Sequence, residues 1–443
     1  MLIYKLKEPY INSEQYLDLT GMCNSLSSSN LIQELSNLVV KEVGGIKSPS
    51  KRLKGATGAL TADLLACAAE NPLAFRYRSV GCNSFADEPI GYRAFRDAFD
   101  ALVANGFIES FPGKKGGEGG FGTATRMRAT GKLIALALRF GIALDRLGEH
   151  FGTAPLPATI KEPVVMRAPS RTDAKGRHRG AKLKLDTSHP DIVSSGARIN
   201  RLNTFMAGVA VTGIKRWTLQ RVYCDNGKPE RYGRFGGRIY SPFQNGKKKG
   251  RRHIRFNGEL VVEVDIGASF LTIYHSLMHR PLDTSVADLY AMAWPPRAIA
   301  KAYINAAFGL GKVHSRWPSE VVDQLENPQG RDVQPIPDVR KNYPVGRVRT
   351  AVTNKFPLLA DLGDSGCAWG DLHYAESEVV LATIESLAFE HAIPSLPLHD
   401  AILVPVSKSG LAMRVLSAEF ERHIGVKPKL KLKEYGEIRR LAA

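Results

Sequence analysis

LPLHDAILVP, residues Leu396–Pro405, sets His399-Asp400 between two apolar runs. A lone charged pair is costly to hide in an apolar sheet, so it must stand at a turn or answer to a partner. IPSLPL before it and AILVPV after it are β-prone, which predicts two strands with His399-Asp400 at the turn between them. Asp400 is then an acid at the tip of a hairpin. Upstream, ESEVVLATIESLAFEHAIP places Val380, Ile384, Leu387 and His391 on one helical face. Downstream, GLAMRVLSAEFERHIG reads as a helix and VKPKLKLKEYG as a basic strand.

Two earlier segments offer partners. In ELVVEVDIGASFLTIYHSL, Glu259–Asp265 alternates and is β-branched, so it is a strand ending at Asp265, with helical character after it. An acid where a strand gives way to a turn can hold a metal at a sheet edge. In PPRAIAKAYINAAFGLGK, Pro295 and Pro296 suit a helix start, and Arg297, Lys301 and Asn305 repeat at i, i+4 and i+8. A guanidinium and an ammonium one turn apart make a clamp for a triphosphate.

Strand–Asp265, cationic helix, hairpin–Asp400 resembles the palm and fingers of family A DNA polymerases and single-subunit phage-type RNA polymerases, over roughly Arg198–Gly436. VDIGASFLT is similar to their first palm motif, RAIAKAYINAAFG to the fingers helix and PLHDAILVP to the hairpin motif. The resemblance implies Asp265 and Asp400 as ligands of Mg2+ (or Mn2+), with His399 near the primer terminus. It implies Arg297 and Lys301, with Asn305, on the incoming triphosphate. GGRIYSPFQN resembles the thumb-to-palm segment and puts Arg238 near primer and nucleotide. The chemistry implied is two-metal nucleotidyl transfer, in which the ions activate the primer hydroxyl and stabilise the leaving pyrophosphate.

The chain departs from those families at three points. Phe308 follows Lys301 by seven residues, one fewer than the family spacing, and is Phe rather than Tyr. Ala401 follows Asp400 where family A has Glu and the RNA polymerases have Ser. Phe270 stands where family A has a Glu that shields the sugar 2′ position, and an aromatic there leans toward deoxynucleotides.

Toward the N-terminus, GYRAFRDAFDALVANG carries Phe95, Phe99, Leu102 and Val103 on one helical face. FIESF and TRMRAT read as strands around the glycine-rich basic loop PGKKGGEGGFGTA. Helix, strand, loop, strand resembles a winged helix-turn-helix. Arg93 and Arg96 lie off the apolar stripe and face a groove in that reading, while Lys114, Lys115, Arg126 and Arg128 meet phosphates.

The chain has 443 residues, 44 % hydrophobic and 23 % charged, with a net charge of +18. Its length predicts two or three domains, and its surplus charge a polyanionic partner. Five cysteines without a CxxC pair fit a reducing compartment and exclude a disulfide framework or zinc ribbon. No apolar run is long enough for a span and no signal-peptide pattern opens the chain, so the expected location is cytoplasmic, with no membrane partner.

The expected fold is α+β: a right-hand polymerase-like palm with helical fingers, preceded by a mostly helical winged-helix domain. The boundaries expected are an N-terminal extension at 1–50, the winged helix at 51–150, a basic linker at 151–197 carrying Arg177 and Arg179, and the palm and fingers at 198–436. The function expected is DNA synthesis from a template, with DNA and nucleoside triphosphates as partners, in the setting of replication or a mobile element. Two alternatives stand beside it. One is a DNA-binding initiator or regulator with a degenerate palm, and the other an RNA-synthesising, primase-like enzyme.

Overall fold

The structure is a computed structural model, and it describes residues 15–45, 47–85, 89–114, 123–153, 160, 162–173, 176–178, 180–214, 217–245, 248–328 and 334–435. Two compact units divide the chain: Met1–Pro155 with Ala174–Gly176, and Leu156–Asp173 with Arg177–Ala443.

In the first unit the described elements include β1 (Gln15–Tyr16), α1 (Leu26–Val43), α2 (Lys51–Glu70), β2 (Arg76–Arg78), α3 (Tyr92–Ala104), β3 (Ile108–Phe111), β4 (Thr125–Ala129) and α4 (Gly131–Arg139). Ser25 and Ser50 cap α1 and α2, each accepting a backbone N–H three residues on. Phe95, Phe99 and Leu102 of α3 are buried against Leu31, Leu60 and Leu64 of α1 and α2. The sheet runs β1-β2-β4-β3, with β3 and β4 antiparallel from Ile108↔Ala129 to Phe111↔Arg126. Residues expected in a separate extension thus supply β1 and α1 to this core.

The second unit contains β5 (Val164–Arg167), α5 (Pro190–Ala207), β6 (Val211–Thr212), β7 (Gln220–Cys224), β8 (Gly236–Tyr240), β9 (Arg255–Phe256), β10 (Glu259–Gly267), α6 (Ser269–Leu277), α7 (Arg297–Leu310), α8 (Trp369–Phe389), β11 (Leu396–Pro397), β12 (Ala401–Pro405), α9 (Ser409–Ile424) and β13 (Lys429–Lys433), among other elements. Its six-stranded sheet runs β6-β9-β10-β12-β11, and β13 pairs the other edge of β10. Along β10, Val262, Val264 and Ile266 alternate with Glu263 and Asp265, and the three aliphatics are buried. Each such side chain contributes roughly 1.5–3 kcal/mol through burial. With Leu416 and Phe420 of α9 and Ile384 and Leu387 of α8 they belong to one core.

The basic linker expected at 151–197 is partly structured. Strand β5 pairs parallel with β7, and the boundary placed at residue 198 falls inside α5. Sequence periodicity missed β5 because only four residues form it, the last of them Arg167, and a proline follows at 169.

Candidate functional site

The hairpin forms as its sequence predicts. Leu398 and Ala401 exchange backbone hydrogen bonds (2.7 and 3.2 Å), leaving His399 and Asp400 as a two-residue turn. His399 holds φ 62°, a left-handed conformation that is costly for a residue other than glycine. Ala268, at the β10–α6 junction, holds φ 53°. Both residues border one cleft, where strain of this kind tends to collect.

Asp265 lies opposite Ala401 in the β10–β12 register, and Ile266 donates its N–H to the Asp400 carbonyl at 3.0 Å. Asp265 and Asp400 both line a cleft of about 720 Å³. Burial pushes the Asp265 carboxyl upward, a hydrogen bond from Lys433 opposes it, and the nearby Asp400 charge raises it again.

Helix α7 forms another wall. Ile299, Tyr303, Ile304 and Phe308 are buried, while Arg297, Lys301 and Asn305 repeat on the exposed face and line the cleft. Arg297 is ion-paired with Asp288. Tyr290 lies 5.8 Å from both cations, its ring beneath Arg297 and Lys301. Phe308 does not reach the cleft; at 2 % exposure it is core, packed edge-on to Tyr274 and Phe270.

Phe270 and Arg238 also line the cleft. Arg238 is delivered by a bulge: the β7–β8 register slips between Val222 and Tyr223, opposite Gly236, and Gly236 and Gly237 hold φ 83° and 70°. A Cβ on Gly237 would meet the Tyr223 ring at 2.7 Å. Arg238 lies 5.2 Å over Phe270 and donates twice to Glu376 of α8, at 3.1 and 2.5 Å.

Several cleft residues escaped the sequence reading. Glu376 is 1 % exposed, and burial pushes its carboxyl up against the pull of Arg238. His373, one turn earlier, does not line the cleft but stacks on its Phe270 at 5.1 Å; burial, then the Arg238 charge, lowers its pKa to about 2. Burial likewise lowers His399 to about 4. Among the described residues the His399 Nδ1 is buried without a hydrogen-bond partner. Lys429, Lys431 and Lys433 alternate along β13 and line the cleft together. The KLKLK pattern itself was the available signal.

Lys433 makes the closest contact with a candidate acid. Its Nζ lies 2.9 Å from Asp265 Oδ1 and 2.8 Å from Glu263 Oε1. Behind the cleft, α8 is clamped. Arg198 donates to Glu385 and Glu378, and the buried Arg221 pairs with Glu378.

Asp265 and Asp400 fit a magnesium ion, which takes one or two carboxylates and keeps waters and substrate phosphates as its other ligands. Among the described residues no cluster of three metal-ligating side chains exists, so a closed structural zinc site does not fit.

In the first unit, Arg93 and Lys114 are exposed. Arg96 pairs with Asp100 at 2.8 Å, and Arg126 lies 6.0 Å from the Phe111 ring centroid. Arg128 is engaged within its own unit, donating to Glu109 at 2.6 Å and to the Leu73 carbonyl. Lys115 and Arg179 lie outside the described residues. Arg177 belongs to a strand, Gly176–His178, and its side chain is likewise outside the description. No helix of the described residues is long and apolar enough to cross a membrane.

No family model matches the chain, and no curated protein matches it. A solved structure similar to it is the POL domain of Pol1 from M. smegmatis, in complex with DNA primer-template and dNTP. The identity is 11 % and the TM-score 0.25; the match covers 95 % of this chain and 66 % of the length of that one. A likeness that slight decides neither fold nor activity.

Proposed function

We propose that the second unit is a palm-and-fingers module that adds nucleotides to a primer on a DNA template. The observation that carries this reading is the convergence of Asp265, Asp400, Arg297 and Lys301 on one cleft from three separate chain segments. Seven cationic side chains and five carboxylates line that cleft, a balance suited to a polyanionic substrate held against a small acidic centre.

Asp265 and Asp400 would hold Mg2+ (or Mn2+), which supplies activation of the primer hydroxyl and charge neutralisation at the transferred phosphate. Arg297 and Lys301 bind the triphosphate from α7, with Asn305 one turn on. Arg238, fixed by Glu376, lies beside Phe270, whose ring walls the sugar side of the nucleotide. The first unit is a winged helix in this reading, with Arg93 and Lys114 among its DNA contacts.

Primer extension on a DNA template with magnesium, offering dNTPs or NTPs, tests the proposal. Incorporation by wild type that is lost in Asp265→Asn is the expected result. Incorporation unchanged in that variant rejects the site, and no incorporation on any primed template rejects the activity.

A second reading has its own observation. Lys433 already neutralises Asp265, as would suit a palm that binds DNA without turnover. It predicts DNA binding that weakens steeply with salt and is indifferent to magnesium.

A further inference from the structure

We infer that Lys433 is a tethered cation that holds Asp265 in the ion-free protein and gives way when a divalent ion binds. The inference rests on reading Asp265 as an ion ligand, and extends it to the strand that pairs with β10.

Asp265 and Asp400 line one cleft, with Ile266 bonded to the Asp400 carbonyl, and two carboxylates sharing a site repel unless a cation intervenes. Lys433 supplies one. It stands opposite Glu263 in the β10–β13 register and reaches diagonally to Asp265.

The two acids depend on Lys433 unequally. Glu263 also accepts from Tyr435 at 2.6 Å and from Arg251 at 3.4 Å. Among the described residues, Lys433 is the one side chain donating to Asp265. Withdrawing the ammonium therefore leaves Glu263 partnered and frees Oδ1 of Asp265. The Lys433 side chain is 39 % exposed, so it has open space into which to withdraw. An incoming ion competes with this lysine for the same oxygen. Its position makes it a positioning residue for Asp265, and a control on when the ion enters.

Mn2+ titration of the full chain, followed by electron paramagnetic resonance, tests the inference. Removing the competing charge in Lys433→Gln, which keeps a hydrogen-bond donor, tightens Mn2+ binding about tenfold. Lys433→Arg binds as wild type does, and Asp265→Asn placed in the Gln variant abolishes the gain. A purely structural lysine gives the opposite sign, because a loosened Asp265 binds the ion more weakly. Mn2+ binding by Lys433→Gln that is equal, weaker or absent overturns the inference.

A measurement on wild type stands apart from any folding defect. In a brief acetic anhydride pulse read by peptide mass spectrometry, Lys433 is protected relative to exposed Lys408 and gains reactivity several-fold at saturating Mn2+. An unchanged ratio overturns the inference. Primer extension separates this from the activity itself. Extension without tightening in Lys433→Gln rejects the tether alone, and tightening without extension rejects the polymerase reading alone.

Discussion

Ile266 donates its backbone N–H to the carbonyl oxygen of Asp400 at 3.0 Å. Asp400 therefore stands one register step beyond Ala401, the partner of Asp265 on β12. Strand alternation alone sends such residues to opposite faces of a sheet. Here Asp400 belongs to the turn, and with His399 at φ 62° both acids line the same cleft. The geometry of that turn is a condition of the site.

The strained turn residue gives a direct stability test. His399→Ala keeps a Cβ in the left-handed region and loses the edge contact with Tyr240. His399→Gly loses the same ring and relieves the backbone. The glycine variant is expected to be the more stable of the two by about 1 kcal/mol, read from urea midpoints.

Glu376 is buried and pairs with the half-buried Arg238, so the two residues are coupled. Glu376→Ala leaves a guanidinium without its carboxylate and is expected to cost about 3 kcal/mol. Adding Arg238→Met to Glu376→Leu recovers much of that stability, because an apolar pair needs no charge partner. Urea titration of the single and double variants measures both effects.

His373 makes the stability of the second unit pH-dependent. Its imidazole ordinarily takes a proton near pH 6.5, and in the folded protein only near pH 2. Acid therefore favours the unfolded chain. This contribution is full above about pH 6.5 and is lost as pH falls from there toward 2. His373→Phe keeps a ring against Phe270 and removes the titration. Thermal midpoints between pH 7 and 4 should fall less steeply in that variant.

Lys301 is exposed and lies on the cleft face of α7. Its replacement by Ala should leave the thermal midpoint within a degree or two of wild type, since substitutions on an exposed face change stability little. The KM for nucleotide in primer extension should rise about tenfold, the loss of one charge-assisted contact.

Phe270 is held between His373 on one side and Phe308 on another, with Arg238 above it. A ring so fixed is a rigid wall. Phe270→Ala should raise ribonucleotide use relative to deoxynucleotide use by about tenfold. An unchanged ratio would remove its role as a steric gate and favour the RNA-synthesising alternative.

The local elements were legible because each depends on neighbours in sequence. Alternation marked β10, helical spacing marked α7 and α8, and two β-prone runs around His399-Asp400 marked the hairpin. The same local signals placed Arg297, Lys301 and Asn305 on one face of α7. Other residues carried no such signal. Glu376 and His373 lie on a helix with ordinary periodicity; only packing against Arg238 brings Glu376 into the cleft, and only packing against Phe270 puts His373 behind its wall. Phe308 stood out in sequence as a departure from the fingers motif in spacing and residue type, and it is core, because helix spacing fixes a face and only packing decides what covers it. Lys433 read as one cation in a basic strand. Sequence determined that LPLHDAILVP turns at His399-Asp400, since turn and strand preferences act over a few residues. Only tertiary structure decided that Asp400 and Asp265 line one cleft, and that Lys433 reaches Asp265, because strand pairing between segments over a hundred residues apart sets both.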